Sequence, residues 1–264
     1  MAKTNYHSHT YLCGHAEGLP YDYIKRAVEL GYDEIGISDH APLWDNYRYH
    51  RMTMDDFYNI YLPDIKRAKA DFSDRIKIYR GLEIEYFSNL HHHYEKLLKD
   101  LDYLILGQHD LIYEGTFIDV YHNLNEDMIE AYQNSVIEAL ETGYFRILAH
   151  PDIYLFSYQT WNEFTEKVAR KIIEAAIRTK VFLEINVNGI RRKRIINQDG
   201  EEVYIYPRIE FWKLLQEYPE ALIMINEDNH ALKQMDDKAC KRAREFSKKL
   251  NLQMTDRLFG DENV

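Results

Sequence analysis

Short apolar runs alternate with longer amphipathic stretches along this chain. The runs fall at 4–7, 34–38, 76–82, 103–107, 146–149, 181–185 and 221–225, each of strand length. Between them, apolar residues recur at helical spacing over 21–30, 54–70, 126–142, 162–179, 208–217 and 239–250, and a further helix is expected within 90–101. In 126–142, for example, Met128, Ile129, Tyr132, Val136, Ile137 and Leu140 share one face of a helix. Strands alternating with helices are the signature of βα units and a parallel sheet. Seven such units predict a distorted (β/α)7 barrel of parallel strands. The segments 110–124 and 188–206 read as longer loops, which in a compact domain often carry function. With no linker, repeat or low-complexity stretch, residues 1–264 are expected to form a single domain.

Composition narrows the class. Apolar residues make up 45% and charged residues 29% of the 264, an ordinary globular balance. No apolar run approaches the roughly 20 residues that cross a bilayer, and the start MAKTNYHSHTY has no signal-peptide core. The expectation is a cytoplasmic protein without a membrane partner. In such a compartment Cys13 and Cys240 are expected as small buried side chains, not a disulfide. The formal net charge of −11 argues against an extended nucleic-acid surface. It leaves room for a small phosphorylated substrate, because a local metal-loaded pocket overrides the global field. Nothing in the pattern selects an oligomeric state.

The histidines and acids follow the strands. His7 and His9 end the first run, Asp39 and His40 follow the second, Glu83 and Glu85 the third, His109 the fourth and His150 the fifth. Asn186 and Asn188 follow the sixth, and Asp228 and His230 the seventh. In a parallel barrel all strand C-termini open at one mouth, so residues more than two hundred positions apart would converge there. Imidazole and carboxylate are ligands for zinc, iron and manganese. On an extended segment a His-x-His pair projects both rings to one side, so His7 and His9 can grip one ion, and Asp228 and His230 share that spacing. A carboxylate such as Glu83 can bridge two ions roughly 3.5–4 Å apart. Any one of these signals is weak; the weight lies in the set. His50, His122 and the run His91–His93 read as surface or helix-end residues and are left unassigned.

The motifs HSHT-x-x-x-C-x-H from His7, SDHAP from Ser38, GLEIEYF from Gly81, GQHD from Gly107, LAHPD from Leu148 and EDNH from Glu227 resemble, in order, those of the polymerase and histidinol phosphatase (PHP) superfamily, most of all its histidinol-phosphate phosphatases. The resemblance implies a trinuclear centre of three divalent metal ions (zinc, iron or manganese). His7, His9, Glu83 and Asp228 would hold the first, Glu83, His109 and His150 the second, and His15, His40 and His230 the third. It further implies a hydrolase of histidine biosynthesis that converts L-histidinol phosphate to L-histidinol and phosphate by attack of a metal-bridging hydroxide. The alternative on the same cluster is a nuclease or a phosphoesterase of broader range. Two positions depart from the family pattern: Asn229 stands between Asp228 and His230, and Gln108 precedes His109, where small residues are usual. Asp39 is a candidate either to protonate the leaving alkoxide or to orient a ligand imidazole. For the substrate, the loop GIRRKRI offers Arg191, Arg192, Lys193 and Arg194, either as phosphate ligands or as a solvated basic face, and Asn186 is a further candidate contact. Asp45, Glu114 and Asp119 are candidate partners of the amine, and Tyr11, Trp44, Phe117 and Tyr154 candidate walls.

Overall fold

The computed structural model describes residues 2–44, 47 and 50–260; of the candidate acids, Asp45 lies outside them. Its strands are β1 (Thr4–Asn5), β2 (Glu34–Ile37), β3 (Lys77–Ile84), β4 (Tyr103–Leu106), β5 (Asp110–Tyr113), β6 (Thr116–Asp119), β7 (Phe145–Leu148), β8 (Phe182–Asn186), β9 (Arg194–Ile196), β10 (Glu202–Tyr204) and β11 (Ile223–Asn226). Seven of them form one sheet in the order β1-β2-β3-β4-β7-β8-β11, every neighbouring pair parallel. This is the expected seven-unit barrel, and its strands lie within two residues of the apolar runs.

The closure is distorted because it rests on side chains. Between the first and last strands the Asn226 amide oxygen accepts from the Tyr6 N–H (2.9 Å), and the Asn5 amide oxygen accepts from the Glu227 N–H (2.8 Å). A single parallel bridge, Ser8 to Asn229, completes the circuit beyond the strand ends.

Strand alternation sorts the residues into layers. Leu82, Ile84, Leu104, Leu106, Leu183 and Ile185 join the large core shared with the surrounding helices. Their neighbours Tyr103, Ile105, Ile147, Phe182 and Met224 form a separate apolar cluster with Tyr6 and Leu258 inside the barrel. The Tyr103 ring fills that interior: a Cβ at Gly36 or Gly81 would meet the ring or its hydroxyl at 2.1–2.2 Å, so both strands need glycine there. Above this apolar floor the same strand faces carry Glu83, Glu184, Asn186 and Asn226, all buried.

The helices start where side chains satisfy their free N–H groups. Asn125 accepts from Met128 N to open Glu126–Glu141, Asn162 from Thr165 N to open Glu163–Thr179, and Asp237 from Ala239 N and Cys240 N to open Lys238–Lys249. The helical stretch expected over 54–70 carries a π-helical turn at Phe57–Tyr61 before it resumes at Leu62–Phe72. Pro63 has no N–H to offer an i−4 carbonyl, which favours a wider turn just before it.

Two expectations need correction. The segments read as loops, 110–124 and 188–206, each contain a two-stranded antiparallel ribbon, β5–β6 and β9–β10. In the first, Glu114 and Gly115 both adopt positive φ (49° and 74°), the geometry of a two-residue hairpin turn. In the second, the Asn197 amide oxygen accepts from Asp199 N and Glu201 N and folds the chain back. Both turns use short polar signals that do not register as strand periodicity. No helix among the described residues is long and apolar enough to cross a membrane.

Candidate metal centre

The strand ends bring the histidines and acids to one mouth. Nε2 of His7 and Nε2 of His9 face each other at 3.1 Å, with Glu83 Oε2 3.5 Å from each. Asp228 Oδ1 completes this group, 3.1 Å from His9 Nε2 and 3.9 Å from His7 Nε2. The other oxygen of the same carboxylate, Glu83 Oε1, lies 3.3 Å from His150 Nε2 and 3.6 Å from His109 Nε2. Those two nitrogens are 3.2 Å apart. A third pair, His15 Nε2 and His230 Nε2, also stands at 3.2 Å. His40 lies among the groups: its ring is 4.3 Å from His9 and 5.5 Å from His15, and its Nδ1 is 3.1 Å from Glu83 Oε2. All nine expected ligands thus meet at one place. His40 stands closer to His9 and Glu83 than a grouping with His15 and His230 alone anticipates.

Hydrogen bonding on the far side of each ring decides what the inner nitrogens can do. Nδ1 of His7 pairs with Glu184 (2.9 Å), of His109 with Glu85 (2.9 Å), of His9 with Asp39 (3.4 Å), of His15 with the Cys13 carbonyl (2.9 Å) and of His230 with the Asp228 carbonyl (3.2 Å). A carboxylate or carbonyl only accepts, so Nδ1 donates and a neutral ring turns its Nε2 lone pair inward. Facing lone pairs at 3.1–3.2 Å repel unless a cation stands between them. Glu83 Oε1 and Asp228 Oδ1 are buried with no hydrogen-bond donor among the described residues. The groups His7/His9/Asp228, His40/Glu83/His109 and His9/His40/His230 each keep their ligand atoms within 4.8 Å of one another. The donor set therefore fits divalent metal ions.

Without such ions, protons supply the missing charge. Burial alone would lower the His7 pKa, but Glu184, Asp228 and Glu83 together raise it well above the usual imidazole range. His9 is raised to about 9 against the same burial, chiefly by Asp228 and Asp39. Burial favours protonated Glu83 and Asp228, yet the surrounding imidazoles hold both well below the ordinary carboxylate range. His230 goes the other way, to about 4, through burial and the adjacent His9.

The backbone is shaped for this cluster. His150 and Asp228 sit at φ of 33° and 48°, a left-handed conformation that costs a non-glycine residue energy and is found at functional sites. A Cβ on Gly107 would lie 2.1 Å from Glu83 Oε1, so only glycine leaves room for that carboxylate.

The other expected residues separate. Asp39 is fully buried, its oxygens engaged by the Thr10 N–H and hydroxyl, the His40 N–H (2.7 Å) and His9 Nδ1. It is placed to orient His9 rather than to face substrate. Asn186 caps the short helix Val187–Arg191 and donates to Glu184 (2.7 Å) and Asp228 (3.0 Å), again behind the ligands. Of the basic loop, Arg191 turns away to Asp237, the Glu227 and Gln234 carbonyls and the Asn229 amide, and Arg194 pairs with Glu202 and Tyr204 on the exposed ribbon. Arg192 alone of the expected arginines lines the cavity over the cluster, donating to the Tyr206 hydroxyl (2.8 Å) with Tyr121 and Phe156 beside it. The chain leaves the helix at Arg191, so successive side chains diverge.

That cavity, about 760 Å³, is also lined by Asp119, Tyr121, Asn188 and Arg51. Glu114 lies on the exposed hairpin turn, and Tyr154 is a core residue whose hydroxyl donates to the Thr165 carbonyl (3.0 Å). Tyr11, Trp44 and Phe117 are exposed and do not line the cavity, whereas His50 and His122, left unassigned, do. The two departures from the family motifs lie outside the cavity. Gln108 ties Tyr86 to Asp110 (2.6–3.2 Å), and Asn229 ties Glu227 to Arg191. Sequence reasoning passed over Glu184 and Arg51. The signal for Glu184 was a charged residue on the inward face of a buried strand, level with the histidines.

A family model for the PHP domain matches residues 5–188. The chain is 29% identical over 156 residues to a Deinococcus radiodurans protein named "Probable histidinol-phosphatase", covering 56% of this chain but only 59% of that protein's length. It is 24% identical over 201 residues to the histidinol-phosphatase of Lactococcus lactis, covering 70% of this chain and 72% of that one. In three dimensions it resembles the crystal structure of the Lactococcus lactis histidinol phosphate phosphatase in complex with zinc, L-histidinol and phosphate. The TM-score is 0.70 at 18% identity, over 96% of this chain and 95% of that one. A Listeria monocytogenes structure gives 0.67 at 19% identity, over 90% and 99%. At such identities these likenesses show a common fold.

Proposed function

The chain belongs to the PHP domain family, and on that premise we propose that it is a metal-dependent phosphomonoesterase acting on L-histidinol phosphate. The observation that carries the reading is the Glu83 carboxylate, whose two oxygens face two separate sets of imidazoles. His7, His9, Glu83 and Asp228 would hold one ion, Glu83, His109 and His150 a second, and His15, His40 and His230 a third. Divalent ions there supply Lewis acidity toward a phosphoryl oxygen and lower the pKa of water.

The chain's own residues do the rest. Asp39, Glu85 and Glu184 fix the rings of His9, His109 and His7. Arg192 brings a fixed positive charge into the cavity, where it meets the phosphate oxygens and the charge that builds on them during transfer. Asp119, at the cavity wall beside Tyr121 and His122, supplies a carboxylate suited to an ammonium group. Asp39, enclosed behind His9, leaves protonation of the leaving alkoxide to a group that reaches the cavity. The substrate choice is supported by the names of the curated relatives and by the L-histidinol and phosphate in the Lactococcus lactis structure.

Assay of the purified, zinc- or manganese-loaded protein tests the proposal. Histidinol phosphate is expected to give a kcat/KM several orders of magnitude above p-nitrophenyl phosphate, with single-stranded DNA untouched. Comparable rates on all three would replace the specific reading with a broad phosphoesterase, and cleavage of DNA alone with a nuclease.

A further inference from the structure

The geometry points to Arg51 as a positioning residue for one metal position, acting through Glu85 and His109. This inference rests on the metal-centre reading above. Arg51 lies outside every motif in the sequence, yet its side chain is 5% exposed and lines the cavity. Its Nη2 donates to Glu85 Oε1 at 2.5 Å, and the same oxygen accepts from His109 Nδ1 at 2.9 Å. The chain therefore runs from guanidinium to carboxylate to imidazole, and ends where His109 Nε2 meets His150 Nε2 (3.2 Å) and Glu83 Oε1 (3.6 Å).

Glu85 is fully buried and its second oxygen has no hydrogen-bond partner among the described residues, so one oxygen carries both contacts. Removing the guanidinium leaves a buried carboxylate with one imidazole for company, an arrangement that costs energy until the carboxylate moves. Movement of Glu85 frees the His109 ring to rotate. Arginine suits the task because it stays charged and is weakly hydrated, so it survives burial.

On the other side of Glu83 the same task is done differently. Glu184, which holds His7, is itself held by the amides of Asn186 (2.7 Å) and Asn226 (3.1 Å), with no arginine among the described residues bonded to it. Loss of Arg51 should thus act on one metal position and spare the rest, an asymmetry that general destabilisation does not produce.

Zinc affinities of the full chain, measured by competition with a chromophoric chelator, test this in a double-mutant cycle. Arg51→Met is expected to weaken one ion 10–100-fold, the usual consequence of losing an outer hydrogen-bonding partner of a ligand, and to leave the others within about threefold. Glu85→Gln should weaken the same ion, and the double variant should be no more than about threefold worse than Glu85→Gln alone, because both act through one link. Circular dichroism checks folding, and Arg51→Gln takes the same place in the cycle if Arg51→Met does not fold. Affinities all unchanged, all weakened alike, or fully additive in the double variant would overturn the role of Arg51. A wild-type chain that binds no zinc would instead overturn the metal-centre reading itself.

Discussion

Glu83→Gln is expected to leave a folded protein that has lost nearly all activity and up to two metal ions. Glutamine keeps the size of the side chain, so the tight space beside Gly107 stays filled. It removes the charge and one of the two anionic oxygens. Glu83 Oε2 faces His7 and His9, and Glu83 Oε1 faces His109 and His150. An amide oxygen can serve only one side, and its NH2 group presents protons to the other. The drop in kcat/KM should reach about 10³-fold or more, the upper end of what loss of one charge-stabilising group costs, because this residue shapes both positions. Elemental analysis and steady-state kinetics check it together. A variant with full metal content and wild-type rates would contradict the bridging role.

Removal of the metals should destabilise the fold. A ligand that binds only the native state adds about 4 kcal/mol when present at a thousand times its dissociation constant. In a chain of this size that corresponds to about 8–16 °C in Tm for a single tightly held ion. The cluster joins β3 and the segments after β1, β2, β4, β7 and β11, so stripping it loosens the barrel mouth from several sides. Protons on His7 and His9 offset part of the loss, since the carboxylates hold both rings above their usual pKa. Thermal unfolding with excess chelator, against zinc-replete protein, measures the difference. A change of less than about 2 °C would mean that the cluster contributes little binding energy to the folded state.

The barrel was legible because its strands are largely buried on both faces and stand out as short apolar runs, unbroken in Tyr103–Leu106 and interrupted only by Glu184 between Val181 and Ile185. The convergence of eight of the nine expected ligands was legible for a related reason: each lies at or just beyond a strand end, and parallel strands make sequence position a guide to place, whereas His15 was signalled only by the motif resemblance. What lay hidden depends on side-chain direction. Arg191 and Arg192 are neighbours in a basic run, but one braces a loop and the other lines the cavity, because the helix ends between them. Asn186 carries no charge and sits at a strand end like a substrate contact, yet it serves as a helix cap and a prop for Asp228. Arg51 arrives from a segment with no periodicity, and only the fold brings it to Glu85. The hairpins β5–β6 and β9–β10 were missed because their strands are short and half exposed, with Ile112 and Ile196 facing outward.

Anomalous diffraction at the zinc edge, from crystals grown with the metal, tests the central claim most directly. The account predicts a peak on each side of the Glu83 carboxylate, roughly 3.5–4 Å apart. Each should lie at about 2.0–2.2 Å from the named nitrogens and oxygens, with a further peak among His15, His40 and His230. Peaks confined to exposed histidines such as His92, with nothing between His7, Glu83, His150 and Asp228, would contradict it.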